Sequence, residues 1–249
     1  MRTLKLSLFL WLTLLSPAFL AAPVGLDAYL ALLAQTPAGK EPPIYPETCL
    51  CPDFRGEGVP PGLDILWLRN HEDGSWPKEK AFAFIWRDAA NLRVCAVMED
   101  CAVGNSAVGR HSDPHQKGDV MELFFQPAGK ANYFELHVAP SLATLEMATA
   151  SVEAFDAWKH GDSSKANFQF DSGMIPEAGT FILPSGLHGW WGRMTIPLAK
   201  LGIAPDGLAG AKWLVGRYNY DFAAWGKVPE VSATARKGLH APDKWCCVE

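Results

Sequence analysis

Alternation of apolar and polar positions with a period of two dominates residues 80–149. In residues 118–127 (GDVMELFFQP), Met121, Leu123 and Phe125 fall on one face and Val120, Glu122 and Phe124 on the other, because successive strand side chains point to opposite sides. In residues 133–140 (YFELHVAP), Phe134, Leu136 and Val138 make an apolar face, and Tyr133, Glu135 and His137 a polar one. The turn-like stretch 128–132 joins the two, so the pattern predicts neighbouring strands. Residues 81–86 and 92–98 predict another pair, around a connection of hairpin length. Residues 143–149 alternate again, with Leu145 and Met147 expected inward and Thr144 and Glu146 outward.

Further short strands are expected at 44–51, 167–170, 180–183, 189–197 and 212–221, the last with Trp213, Val215 and Arg217 on one face. Residues 63–68 read as either strand or helix, and 151–162 as a helical turn or loop. Pro197 starts, and Gly202 stops, a small helix at 198–201. Residues 25–36 have the pattern of a short amphipathic helix, which Pro37, Pro42, Pro43 and Pro46 separate from the strands beyond. So many short strands between glycine-bearing turns indicate an all-β fold: an antiparallel β-sandwich of immunoglobulin-like or jelly-roll-like layers, with one or two short helices. The organisation expected is a signal peptide at 1–22, a leader at 23–43 and a single sandwich domain at 44–249.

Composition narrows the partners. A chain of 249 residues that is 49% hydrophobic can bury a substantial core. A net charge of −5, a pI near 5.8 and no basic run longer than two residues argue against nucleic acid or an anionic membrane surface as partner. Arg2 and Lys5, the apolar stretch 6–15 and Ala21-Ala22 have the layout of a secretory signal, which implies a secreted or periplasmic protein with no membrane attachment after cleavage. The six cysteines fit that compartment. A Cys95–Cys101 bridge is expected, with one or two bridges between Cys49 or Cys51 and Cys246 or Cys247.

Glu122 is the outstanding candidate for function. A carboxylate among apolar neighbours costs several kcal/mol to desolvate unpaired, so it calls for a ligand, a cation, a wet rim or a basic partner such as Arg193 or Arg217. With Tyr133, Glu135 and His137 it forms either a solvated outer face or the floor of a polar-ligand site. Asp100, Asp113 and Asp119 offer oxygen ligands for Ca²⁺, or else cap turns, while His111 and His115 add nitrogens suited to a transition metal. No GxSxG, HExxH or phosphate-cradling loop is present, and no organic cofactor is expected.

From about Tyr45 to the end, the chain resembles the carbohydrate-binding module family 9-like β-sandwich proteins of secreted bacterial polysaccharide-degrading systems. The matching pieces run in order. They are Phe84-Ile-Trp-Arg-Asp88, Asn91-Leu-Arg-Val94 with Glu99-Asp100, Gly118-Asp119-Val-Met-Glu122, Asn132-Tyr133-Phe-Glu135, Gly189-Trp190-Trp191, Arg217-Tyr-Asn219-Tyr, and Leu239-His240-Ala-Pro242 through Trp245. The resemblance implies a noncatalytic fold that binds an oligo- or polysaccharide, commonly with calcium, and works beside glycoside hydrolases. Asp119 and Glu122 match acidic positions of the strand lining the family's binding face, and Asn219 and Trp225 are expected near the ligand. His115-Gln116-Lys117 occupies the place where sugar-binding members carry a stacking tryptophan. The other class considered is a related sandwich that holds haem or another redox cofactor, with Met98, Met121 or His137 as axial ligands.

Overall fold

The computed structural model describes residues 23–35, 45–161, 168–220 and 229–249. Two sheets lie face to face in it, as the alternating pattern requires. The larger holds β1 (Thr48–Cys49), β3 (Arg69–Asn70), β6 (Val120–Gln126), β7 (Tyr133–Val138), β8 (Thr144–Thr149), β11 (Lys212–Asn219), β12 (Glu230–Ala233) and β13 (Cys246–Val248). Its main path runs β1-β13-β11-β6-β7-β8, and β12 adds to β11 and β3. The smaller runs β2-β4-β5-β10-β9, from β2 (Leu66–Trp67), β4 (Ala81–Arg87), β5 (Asn91–Glu99), β9 (Ile175–Ile182) and β10 (His188–Pro197). All pairs are antiparallel except β1 with β13.

Met121, Leu123, Phe125, Leu136, Val138, Trp213 and Val215 from one sheet meet Val94, Ala96, Met98, Trp190, Met194 and Ile196 from the other, making the inter-sheet core. Each fully buried Val, Leu, Ile, Phe or Met among them contributes about 1.5–3 kcal/mol through removal of its surface from water. The predicted helix at 198–201 forms as a 3-10 turn, Leu198–Leu201, ended by Gly202.

Both outer faces are also covered. Helix α1 (Leu26–Gln35) lays Leu26, Tyr29, Leu30 and Leu33 over Phe82, Phe84, Trp86 and Trp191 of the smaller sheet, with the Tyr29 and Phe84 rings stacked 4.6 Å apart. The stretch read as a leader is thus packed onto the sandwich through its apolar side. Helix α2 (Val152–Lys159), capped by Ser151, lays Phe155 over the larger sheet beside Phe124, Tyr133, Leu214 and Trp245. The expected signal peptide lies outside the described residues, as do 162–167 and 221–228. Among the described residues no helix is long and apolar enough to cross a membrane.

One face assignment is reversed. Residues opposite each other in a ladder share a side, and β7 pairs Glu135 with Met147 and His137 with Leu145. Leu145 and Met147 therefore stand on the outer side with the polar residues. Glu146, paired with Leu136, points the other way and bonds Arg110 and Ser172 at the sheet margin. Alternation alone cannot tell which face of a strand is covered when both are buried.

Candidate functional site

The outer face of β6 and β7 carries the site. Their register sets Glu122 beside His137 and Phe124 beside Glu135. Glu122, Glu135 and His137 are each no more than 6% exposed. His137 Nε2 lies 2.7 Å from Glu135 Oε1 and 3.3 Å from Glu122 Oε1, so one imidazole nitrogen faces two carboxylates. On the other side of β6, Gly216 of β11 sits opposite Glu122, and a Cβ there would lie 3.6 Å from Glu122 Oε2 and 3.1 Å from Leu239. The missing side chain lets Leu239 pack close against β11 there.

Burial raises Glu122 to about 7, helped by the negative charge of Glu135 and opposed by His137. Burial also pulls on Glu135, but the hydrogen bond and charge of His137, with His240 and His115 nearby, hold it below the ordinary carboxylate range. The two acids are driven apart, one toward the neutral form and one toward the anion. Tyr218 follows Arg217 on β11 and so points to the Glu122 side, where burial and then the two glutamates raise its hydroxyl.

A cavity of about 270 Å³ opens over these groups. Glu122 and Glu135 lie at its floor with Leu145 and Met147, and Phe124, Phe155, Trp158, Tyr218, His115 and His240 line its walls. His240 is pinned there: its ring stacks on Phe155 at 3.7 Å and its Nδ1 lies 3.0 Å from the Tyr133 hydroxyl. His115 comes from the 3-10 turn Pro114–Gln116, with its ring edge-on to His137 at 5.3 Å. Asn105 fixes that turn by donating to the Pro114 carbonyl, and the Tyr220 hydroxyl donates to the His115 carbonyl. Gly118, at φ 144, allows the loop to close: a Cβ there would meet the Gly104 carbonyl at 2.2 Å.

Of the expected ligand residues, Glu122, Glu135 and His137 converge, and Tyr133 joins them through His240. Asn219 does not. It lies on the opposite side of β11 from Tyr218 and donates to Glu79 at 2.7 Å. Trp225 lies outside the described residues. Neither arginine considered as a partner reaches Glu122: Arg193 forms two 2.6 Å bonds to Glu177, and fully buried Arg217 pairs with Asp100 at 3.2 Å.

The acidic residues read as calcium ligands do not form a cage. Asp100 holds the Arg217 guanidinium, which places a positive charge where a cation would sit. Asp119 spends both oxygens on the amides of Gly104 and Tyr220, and burial followed by the charge of Asp100 raises it to about 7. Asp113 stands at the start of the 3-10 turn, and among the described residues it does not gather with the other two.

All six cysteines are free thiols. Cys95 is buried in the middle of β5 between Phe84 and Arg193, while Cys101 is exposed beyond the strand end, so the expected bridge between them does not form. The termini do meet. β1 runs beside β13, and the Cys49 and Cys246 thiols are in hydrogen-bonding contact, with Trp213 Nε1 donating to Cys49 Sγ at 3.0 Å. The haem ligands considered are split, since Met98 and Met121 lie in the inter-sheet core and His137 on the outer face.

Sequence reasoning missed Tyr218, Phe155, Trp158 and the wall position of His240. Tyr218 was within reach, because Trp213, Val215 and Arg217 on one face put Tyr218 on the other. Helix α2 and the segment around His240 reach the cavity from distant parts of the chain, which no local pattern records.

No protein-family model matches this chain, and no curated protein matches it. Solved structures do. A candidate carbohydrate-binding protein from Bacteroides uniformis superposes with a TM-score of 0.52 at 15% identity, over 75% of this chain and 86% of that one. A carbohydrate-binding module of family 9 from Caldicellulosiruptor kristjanssonii, in complex with cellotriose, gives 0.49 at 12% identity over 81% and 93%. The first of these likenesses shows that the chain shares that β-sandwich fold.

Proposed function

We propose that this chain is a secreted, noncatalytic carbohydrate-binding protein, an accessory to polysaccharide or glycan breakdown, and that its ligand enters the cavity over Glu122. The observation that carries this reading is the composition of that cavity: two buried carboxylates on the floor, and two imidazoles with aromatic rings on the walls. Sugars present hydroxyls at their rims and C–H groups on their faces, so a site for them pairs fixed polar groups with aromatic surfaces. About 270 Å³ lies just under the ~300–1,000 Å³ usual for small-molecule pockets, which suits one small unit such as a chain end.

Binding is favoured over hydrolysis by the way the acids are held. A glycosidase needs one carboxyl free to give its proton and the other free to attack or to activate water. Here both face the same His137 nitrogen. The sandwich fold shared with the Bacteroides uniformis protein and the secretory layout of residues 1–22 support the same reading. A glycan array probed with the mature chain is the test. Selective retention on one class of oligosaccharide is expected, and a folded chain that retains none would refute the proposal.

A further inference from the structure

We propose that His115, Glu122 and His137 form a binding site for a divalent transition metal, with Zn²⁺ the ion their chemistry fits best. The three come from separate elements, the 3-10 turn, β6 and β7, yet their ligand atoms lie within 4.8 Å of one another. His137 Nε2 and Glu122 Oε1 are 3.3 Å apart. Donors on a tetrahedral zinc with bonds of about 2.0–2.1 Å are separated by about 3.3 Å, so this edge needs little adjustment. Two imidazoles and a carboxylate suit zinc and its neighbours, whereas Ca²⁺ and Mg²⁺ favour all-oxygen shells.

Glu135 gives a second, independent reason. Its Oε1 accepts from His137 Nε2, but its Oε2 is buried with no hydrogen-bond partner among the described residues. A buried carboxylate oxygen left so is costly, and a cation beside it removes the cost. On metal binding, His137 keeps a proton on Nδ1, releases the one on Nε2 to solvent and gives the freed Nε2 lone pair to the ion. The Glu135 carboxylate, which stands beside His137 and outside the group of three, then offsets the charge of the ion. The metal thus sets +2 against two buried acids. His115 is also held ready, because Asn105 and Tyr220 fix the backbone of its turn. This inference does not depend on sugar binding.

The test starts from full-length mature protein dialysed against chelator. Calorimetric titration with ZnCl₂ should show one ion per chain, and Co²⁺ should give the visible bands of a four-coordinate N/O site. His115→Ala, which alters a partly exposed loop and leaves the sandwich core intact, should weaken zinc binding at least about tenfold, and His137→Gln should do the same. Absence of stoichiometric uptake by wild type whose circular dichroism shows an intact sheet would overturn the proposal. So would uptake unchanged in both histidine variants, which would place the metal elsewhere. Repeating the glycan array with and without zinc reads the sugar site separately.

Discussion

Glu122 and His137 face each other across the β6–β7 ladder with Oε1 and Nε2 3.3 Å apart, and both side chains are almost wholly buried. Removing the imidazole would take away the nitrogen that both buried acids face. Breaking a buried charged pair from one side costs about 3–5 kcal/mol. His137→Ala is therefore expected to lower unfolding free energy by about 3 kcal/mol in urea denaturation, whereas Glu122→Gln, which keeps shape and removes charge, should cost much less. Equal, small effects would show that the network is wetter than its burial implies.

Arg217 and Asp100 form the second buried pair, linking β11 of the larger sheet to the end of β5 in the smaller, with Arg217 also donating to the Glu79 carbonyl. Arg217→Met is expected to destabilise by about 3–5 kcal/mol, and Arg217→Met combined with Asp100→Asn by clearly less than the two single losses added together. Additive losses would mean that the two side chains do not act as a unit.

His240 supplies a pH dependence. Burial lowers it to about 4 from an ordinary value of 6.5. The unfolded chain takes up this proton as the pH falls below about 6.5, the folded chain only near 4, so His240 makes the protein lose stability across that window. Glu122 and Asp119, both raised to about 7, act with the opposite sign, because there the folded chain binds the proton first. The difference between proteins isolates the histidine. Between about pH 7 and pH 4.5 the melting temperature of His240→Phe should fall less than that of wild type, on top of a pH-independent loss of about 1 kcal/mol for the bond to Tyr133. Parallel curves would exclude His240 as the source.

Cys49 and Cys246 are the pair placed to cross-link in an oxidising compartment. Peptide mapping of protein exported to the periplasm should find a Cys49–Cys246 bridge that ties β1 to β13. A Cys95–Cys101 bridge should be absent. Finding Cys246 reduced after export would contradict this pairing.

The strands from 81 to 149 are legible in the sequence because each has one face in the inter-sheet core, which imposes a period of two. Leu145 and Met147 escape that logic, since α2 and the segment around His240 cover the outer side of the same sheet and make apolar residues equally welcome there. Helix α1 reads as a leader because the prolines after it speak of a break in the chain and say nothing of what its apolar side packs on. In the site, Glu122 stands out as a carboxylate in an apolar run, and its true partner, His137, sits in plain view on the next strand. The arginines look more obvious as counterions, but the β9–β10 register gives Arg193 to Glu177, and packing of one sheet on the other gives Arg217 to Asp100. The rings of Phe155 and Trp158 arrive through tertiary packing, which strand periodicity cannot announce.

The central claim is that a glycan binds over Glu122. Titration calorimetry with the best array ligand tests it most directly, comparing wild type, Glu122→Gln and Asn219→Ala, the last on the far side of β11. Measurable binding is predicted for wild type and Asn219→Ala, with at least a tenfold loss, about 1.4 kcal/mol, in Glu122→Gln. Undiminished affinity in a folded Glu122→Gln variant would contradict it.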